Sequence, residues 1–294
     1  MAAPHMHQQR RLIKRAKPNR SLAGDLLNMI MLALMGAFFA LPFIFAVSQA
    51  FKPLDELFLF PPQFFVRNPT MDNFRDLFVL MNASWIPFSR YLFNTVFITL
   101  VGTIGHLLIA SLCAYVLAKN KFPGDKFIFS LIIMALMFPG QVTGIPNYLI
   151  MSYLRWIDTY LAIVVPAFAG TLGLFLMKQF MEQIPDSLIE AARIDGAGEL
   201  RVYWNIAMPA VKPAWMTLII FSFQGLWNTT GGIFIFSEEL KTMPFALGQI
   251  LAGGIARAGV GAAVSVFMMV VPIVVFMVTQ SNVIETMTAS GIKE

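Results

Sequence analysis

The stretch EAARIDGAGELRVYWNIAMP, residues 190–209, decides how the rest of this sequence is interpreted. It is the longest polar interruption in the second half of a strongly apolar chain. It is too charged to lie in the hydrocarbon of a membrane, and the regular spacing of its apolar residues is not typical of an irregular loop. We expect two short helices here, joined at Gly196, because the residue after a helix often needs the positive φ that glycine adopts readily.

The composition indicates a membrane protein. Of the 294 residues, 57% are hydrophobic and 13% are charged, and the mean hydropathy is +0.70. Soluble domains carry about 25% charged residues, and one of this length has no way to bury so much apolar surface. Cys113 is the only cysteine, which excludes a disulfide or a cysteine metal site within one chain. We attribute the net charge of +5 to membrane topology rather than to nucleic-acid binding.

Apolar length predicts an all-α membrane protein with six transmembrane helices, because a span needs about 20 residues. The predicted organisation is a basic tail over 1–25, one six-span domain over 26–280 and a second tail over 281–294. The first apolar run exceeds the roughly 7–15 residues of a signal-peptide core, which favours an uncleaved anchor. The predicted spans are 26–50, 92–118, 127–150, 160–178, 213–236 and 260–280.

Lysine and arginine set the predicted orientation. With the N-terminus in the cytoplasm, 14 of the 21 basic residues fall in cytoplasmic segments. Basic residues are enriched on that side of a membrane, so both termini and the 190–209 stretch are predicted to face the cytoplasm.

Two other segments interrupt the apolar pattern. The outer segment 51–91 mixes apolar and polar residues, and we expect it to pack on the protein with a short helix that begins at Thr70 or Asp72. In the third span, Pro139-Gly140 and the run 144–146 are expected to break the helix. That break is either irregular backbone at membrane depth, covered by protein, or a simple helix end at the outer surface.

The predicted spans carry little chemistry. They contain no acidic residue away from their ends, and His106 is the one ionisable group near mid-span. We expect His106 to be a packed, hydrogen-bonded side chain rather than a proton relay. The chain lacks the G-x-x-x-x-G-K-[ST] phosphate loop. Energy for uphill transport would therefore enter from another subunit, and we predict no cofactor, metal site or catalytic residue.

The first helix of the polar stretch is expected to open at Pro185, with Asp186 or Ser187 as its cap and a capping box between Ser187 and Glu190. The second helix is expected to begin near residues 198–199 and to stop before Pro209. Pro213 is expected to open the next span. An amphipathic helix lying on lipid headgroups is the alternative, but such a helix is rich in lysine and arginine, whereas acids match bases here. Docking on a protein fits better.

At these residues the sequence resembles the signature loop of ABC-importer permeases. That loop has E-A-A, three residues, G, nine residues, I, one residue and L-P. The matching positions here are Glu190-Ala191-Ala192, Gly196, Ile206 and Met208-Pro209, with Met208 where leucine is usual. FKPLDELFLFPPQ, PGQVTGIPNYLIM and IPDSLIEAARIDGA also resemble sugar permeases of the maltose-uptake type, and the tail TMTASGIKE is similar to the second permease subunit of that family.

The resemblance implies a non-catalytic permease subunit in a bacterial inner membrane. Its partners would be ATP-binding ABC subunits, a second homologous permease, an extracytoplasmic solute-binding protein, membrane lipid and a small-molecule sugar, with no nucleic acid. The loop would dock on the ATPase and couple ATP hydrolysis to the spans. Carried over by position, the ATPase-coupling residues are Glu190, Ala191, Ala192, Asp195, Gly196, Ile206 and Pro209.

A possible substrate pathway is indicated in the fifth span. Gln224 and Asn228 are four residues apart and would share a helix face. Trp227 lies next to Asn228 in the sequence. Amides and an aromatic ring suit a neutral polyhydroxylated solute. Hydrogen bonding between packed spans explains the same residues equally well.

Two other functions remain open from the sequence. One is a similar ABC importer for a non-sugar solute, and the other is a six-span secondary transporter, against which the missing intramembrane charges count. A membrane-embedded enzyme would need clustered His, Asp or Cys near a membrane face, which the sequence lacks.

Overall fold

The computed structural model describes residues 22–82, 85–138, 140–254 and 257–290. The described part of the chain divides into two compact units, the first ending at Ala46 and the second beginning at Val47. Regular structure in the described ranges is helical throughout, which confirms the all-α class. Residues 1–21 of the predicted basic tail and 291–294 of the second tail lie outside the described residues.

The helices follow the apolar segments and the polar stretches between them. In the described ranges they are α1 (Leu22–Ala50), α2 (Leu54–Leu57), α3 (Asp72–Asn82), α4 (Phe88–Lys119), α5 (Asp125–Leu136), α6 (Gly140–Tyr153), α7 (Leu161–Phe168), α8 (Thr171–Glu182), α9 (Asp186–Ile194), α10 (Glu199–Val202), α11 (Met208–Ala210), α12 (Lys212–Trp227), α13 (Met243–Leu251) and α14 (Ala258–Ser290). A π-helical turn, Tyr203–Ala207, joins α10 to α11, and a 3₁₀ turn, Glu238–Leu240, precedes α13.

Four stretches of the described chain are long and apolar enough to cross a membrane: Ala23–Ala50, Phe88–Lys119, Leu161–Glu182 and Ala258–Gln280. A fifth is obtained if Glu199–Ala210 and Lys212–Trp227, which meet at 81°, count as one bent span. The predicted number of six stays a prediction. The third predicted span is divided between α5 and α6, and neither helix reaches the roughly 20 residues that a span needs.

The helix break predicted in the third span is confirmed at one of its two positions. Helix α5 ends at Leu136 and α6 begins at Gly140, as the Pro139-Gly140 pair predicts. The second break, at 144–146, was wrong, because α6 continues through Pro146. A proline inside a helix removes one backbone hydrogen bond, and α6 accommodates that loss.

The fifth predicted span, 213–236, is shorter in the structure. Helix α12 ends at Trp227, and the chain then turns through Gly231 and Gly232, whose φ angles are +78° and +50°. Asp158 holds the segment beyond them, since its carboxylate accepts the backbone N–H groups of Phe236 (2.9 Å) and Ser237 (2.8 Å). An α-helix cannot continue through glycines in the left-handed conformation. The prediction of this span from the length of its apolar run did not take these two glycines into account.

The outer segment contains the predicted short helix and packs on the protein. The backbone N–H of Asp72 donates to Thr70 Oγ1 (3.1 Å) at the start of α3. Asn73 Nδ2 donates to the carbonyls of Ala50 (2.9 Å) and Lys52 (2.7 Å), which fixes the chain before α2 against α3. Gly259 of α14 lies so close that a Cβ there would be 2.2 Å from Asn73 Oδ1. Helices α3 and α14 therefore pack directly against each other.

His106 is a packed residue of α4, as expected. Its Nδ1 lies 2.5 Å from Ser222 Oγ of α12, and its Nε2 lies 3.0 Å from the carbonyl of Gly170, between α7 and α8. Gly173 is needed beside it, because a Cβ there would lie 2.5 Å from His106 Nε2. The imidazole thus ties α4 to α12 and to the start of α8 through both of its nitrogens.

Candidate functional site

The polar stretch folds as a helical hairpin, which we define as residues 186–210. Helix α9 ends in a left-handed turn at Gly196, where φ is +79°. The backbone N–H of Gly196 donates to the carbonyl of Arg193 (3.0 Å), and that of Ala197 donates to the carbonyl of Ala192 (2.9 Å). This pair of bonds defines a Schellman turn, in which glycine is the preferred left-handed residue. The predicted role of Gly196 as the helix terminator is confirmed.

The start of α9 differs from the prediction. Pro185 occupies the N-cap position, and no side chain caps the helix, so the capping box between Ser187 and Glu190 does not form. Asp186 instead accepts a hydrogen bond from the ammonium of Lys119 (2.7 Å), at the end of α4. That ammonium holds the pKa of Asp186 below its usual value. The ion pair between Lys119 and Asp186 therefore stabilises the start of α9 in place of the side-chain cap that the sequence predicts.

The second helix of the hairpin runs further than predicted. It does not stop before Pro209 but passes through the π-helical turn and continues to Ala210. Proline has no N–H, and in an α-helix its ring would clash with the carbonyl four residues earlier. The wider π turn, in which the N–H of Met208 reaches the carbonyl of Tyr203, comes directly before Pro209. Such turns are rare and often lie at functional sites.

One face of the hairpin is buried in the protein. Ile189 is 2% exposed, and Val202, Tyr203 and Ala207 are buried with it. They form one apolar cluster with residues of α4, α8 and α12, among them Ala114, Met181 and Leu218. The hairpin is therefore a packed part of the second unit, and its position is fixed by these contacts.

The opposite face is exposed and chemically mixed. Glu190, Ala191, Asp195 and Gly196 lie on it. Large apolar side chains accompany them, with Ile194 86% exposed and Leu200 70% exposed. Sequence reasoning missed both residues. The signal was available in the spacing of Ile189 and Ile194, which are five residues apart and so cannot share one helix face.

The structure divides the predicted coupling residues between the two faces. Glu190, Ala191, Asp195, Gly196 and Pro209 are exposed. Ala192 and Ile206 are half-buried and pack against the apolar cluster. Ala192 and Ile206 therefore help to hold the hairpin in place, while the five exposed residues form a surface that a partner can reach.

Of the predicted substrate-pathway residues, Gln224 and Asn228 are both exposed, whereas Trp227 is buried. Trp227 is 3% exposed, its ring stacks on Phe223, and its Nε1 donates to the carbonyl of Met268 (3.3 Å) in α14. Asn228 is the C-cap of α12, and its Nδ2 donates to the carbonyl of Gln224 (2.8 Å). Trp227 thus serves helix packing, which was the alternative explanation, and the two amides remain accessible.

A cavity of about 300 Å³ lies between α4, α8 and α12. Its lining is almost wholly apolar, and its polar members, His106 and Ser222, bond to each other. This cavity therefore lacks the free polar groups that recognise a hydroxylated ligand.

Comparison with known proteins places these features in context. Residues 106–288, which include the hairpin, match the family described as binding-protein-dependent transport system inner membrane component. LplC of Bacillus subtilis (strain 168) is 34% identical over 209 residues, which cover 69% of this chain and 67% of LplC. AraQ of Halalkalibacterium halodurans, an arabinooligosaccharides transport system permease protein, is 28% identical over 260 residues, 86% of this chain and 90% of AraQ.

UgpE of Yersinia enterocolitica, an sn-glycerol-3-phosphate transport system permease protein, is 35% identical over 142 residues, 48% of this chain and 50% of UgpE. Among solved structures, a chain of a bacterial ABC transporter involved in the import of the acidic polysaccharide alginate matches with a TM-score of 0.74 at 23% identity. That match covers 90% of this chain and 99% of the other, and it shows a shared fold.

The two glycines of the turn allow a matched test of the hairpin. We predict that Gly196→Ser loosens the hairpin and that Gly198→Ser does not. A left-handed backbone costs a non-glycine residue about 1–2 kcal/mol, whereas Gly198 has a φ of −71° and occupies an N-cap position, where serine is favoured. Neither new Cβ meets an atom within 4 Å.

Hydrogen–deuterium exchange of the hairpin amides in the full-length protein is the measurement. We expect roughly five- to thirty-fold faster exchange for Gly196→Ser, the factor that corresponds to that cost. Equal exchange in the two variants would show that the left-handed turn does not hold the hairpin together.

Proposed function

Because the chain belongs to the family of binding-protein-dependent transport system inner membrane components, we propose that it is the permease subunit of an ATP-driven sugar importer. The observation that supports this proposal most directly is the hairpin, whose buried face fixes it in the protein while its other face is exposed. The chain itself is a non-catalytic transport subunit, and ATP is hydrolysed by a separate ABC subunit.

The exposed face of the hairpin is the proposed docking surface for that ATPase. It carries Glu190, Ala191, Asp195 and Gly196 together with Ile194. Small residues permit close approach of a partner, and a large apolar side chain supplies an anchor at the centre of a contact. A helix lying on lipid needs a continuous apolar face bordered by lysine and arginine. This surface has acids beside its apolar groups, which supports a protein partner.

We propose six spans with both termini in the cytoplasm of a bacterial cell. The spans are α1, α4, the pairs α5–α6 and α7–α8, α12 and α14. In this arrangement the hairpin lies on the cytoplasmic side, where the excess of lysine and arginine also falls.

The chain forms half of the translocation pathway in this proposal. A second, homologous permease subunit supplies the other half, and an extracytoplasmic solute-binding protein delivers the sugar. The names of AraQ and UgpE support partners of these kinds, since each is a permease protein within a transport system. The lipid bilayer surrounds both permease subunits.

The proposed substrate is a neutral sugar or short oligosaccharide. AraQ is named for arabinooligosaccharides and extends over most of this chain's length, which supports that class. The exposed amides of Gln224 and Asn228 would donate to and accept from sugar hydroxyls. The name of UgpE favours a second candidate, a phosphorylated polyol.

Uptake measurements with the assembled importer separate these two substrate classes. Arabino-oligosaccharides are expected to compete with the transported solute, and glycerol 3-phosphate is not. Gln224 and Asn228 are uncharged, whereas a phosphate is usually bound by arginine or lysine. Competition by glycerol 3-phosphate alone would assign the chain to the second class.

Glu190→Lys tests the docking surface. Glu190 is exposed and makes no capping contact, so its replacement leaves the fold intact and acts on the surface alone. A wrong charge in a desolvated contact costs several kcal/mol, so we expect recovery of the ATPase in a pull-down to fall at least about tenfold at low salt. On a lipid surface the added lysine would be neutral or favourable.

The matched control is Glu239→Lys, which reverses an exposed charge in the segment between α12 and α13. We expect it to leave ATPase recovery at the wild-type level. Equal recovery of the ATPase by wild type and Glu190→Lys, over several salt concentrations, would contradict docking through this surface.

A further inference from the structure

One face of α4 is bonded to the hairpin at three successive turns. Ser111, Tyr115 and Lys119 are spaced four residues apart and therefore lie above one another on the helix. Ser111 Oγ lies 2.6 Å from the hydroxyl of Tyr203, the hydroxyl of Tyr115 donates to Glu199 Oε2 (3.0 Å), and Lys119 bonds to Asp186. We call these three side chains the α4 ladder.

The middle contact of the ladder also joins the two helices of the hairpin. While Tyr115 donates to one oxygen of the Glu199 carboxylate, Arg193 Nε donates to the other (2.8 Å). Arg193 belongs to α9 and Glu199 to α10, so this carboxylate connects both helices to α4. Hydrogen bonds to charged groups are roughly twice as strong as neutral ones.

The last contact joins a buried side chain to an exposed one, since the side chain of Asp186 is 78% exposed. The side chain of Lys119 is 3% exposed, and its ammonium donates to the carbonyl of Ile184 (2.6 Å) as well as to Asp186. A buried ammonium requires such partners, because an unpaired one carries a large desolvation cost. The segment that leads into α9 is thereby tied to the end of α4.

Packing leaves the ladder little freedom. The ring of Tyr115 meets that of Tyr203 edge-on, with centroids 5.6 Å apart, and both residues are buried. Eight residues of helix separate the first and last contacts, a rise of about 12 Å. A hairpin held at three heights over that length cannot tilt or slide without carrying α4 with it.

The covalent connection from the hairpin is less direct. The chain passes from α11 into α12 through a bend of 81° at Val211. Helix α12 also contacts the hairpin, through the apolar cluster and a hydrogen bond from Trp215 Nε1 to the carbonyl of Met208 (3.1 Å). It leaves the hairpin at this steep angle, however, whereas the contacts of α4 extend over three turns. Helix α4, by contrast, also contacts α7, α8, α12 and α13, and so reaches the rest of the second unit.

We propose that the α4 ladder is the mechanical link by which movement of the hairpin reaches the membrane-spanning helices, with Tyr115 and Glu199 as its central positioning residues. This inference rests on the proposed function, since it assumes that an ATPase moves the hairpin. It assigns to α4, rather than to the covalently attached α12, the first response to nucleotide.

Spin labelling tests the rigidity of the link without measuring transport. Cys113, the only cysteine, is exposed and lies on α4 between Ser111 and Tyr115. Ser187→Cys adds a second site on α9, at an exposed residue outside the proposed docking surface. In the full chain in lipid nanodiscs we expect a single narrow distance, which stays the same when the ATPase is added with or without ATP.

Tyr115→Phe removes one hydroxyl from the ladder and keeps the ring. We expect it to broaden the distance distribution and to raise the ATP hydrolysed per sugar imported roughly fivefold, the equilibrium change expected for one lost hydrogen bond. Adding Ser111→Ala should raise the ATP-to-sugar ratio further.

Tyr91→Phe is the matched control, because Tyr91 also lies on α4 and donates to a glutamate, Glu238 (2.7 Å), far from the hairpin. It should leave the ATP-to-sugar ratio and the distance unchanged.

The possible failures are distinct. If the chain retains no ATPase, the proposed function fails, and the nanodisc distances of wild type and Tyr115→Phe still test the ladder. If the ATPase binds but the distance between residues 113 and 187 changes with ATP, the hairpin does not move rigidly with α4 and the ladder is overturned. A wild-type ATP-to-sugar ratio in the Tyr115→Phe Ser111→Ala double variant would overturn it as well.

Discussion

The buried ammonium of Lys119 is the constraint on which the position of the hairpin depends. At 3% exposure it must find oxygen partners, and it takes them from the carbonyl of Ile184 and the carboxylate of Asp186. Those two residues flank Pro185, the N-cap of α9. The place where the hairpin begins is therefore set by a charge at the end of a neighbouring helix. The apolar contacts of Ile189 then fix its orientation.

That constraint gives the hairpin one buried face, which is fixed in the protein, and one exposed face. Burial holds one side, so side chains that face away are exposed whether or not they are polar. Ile194 and Leu200 are large, apolar and exposed beside Glu190 and Asp195. An apolar anchor within a charged rim is the usual form of a protein contact, and it suits a subunit that obtains its energy from a partner.

The sequence predicted the local features of the fold better than the long-range ones. Gly196 was identified because one glycine supplies both a helix end and a positive φ. The capping box between Ser187 and Glu190 was wrong because α9 begins at Asp186, with Pro185 as its N-cap, so Ser187 lies inside the helix. Asp186 itself is held by Lys119, which is distant in sequence. The π turn before Pro209 was likewise not visible from proline alone. The surface role of Ile194 depends on which face of α9 is buried, and tertiary packing decides that.

This chain is a non-catalytic subunit, and we infer that it receives the energy for transport through the hairpin. The most direct test is uptake into lipid vesicles that contain the chain and its partner permease, with the binding protein outside, in the presence and absence of the ATPase. We expect sugar to accumulate against a gradient only when the ATPase and ATP are present. Accumulation driven by a pH or sodium gradient, with no ATPase in the vesicles, would contradict it.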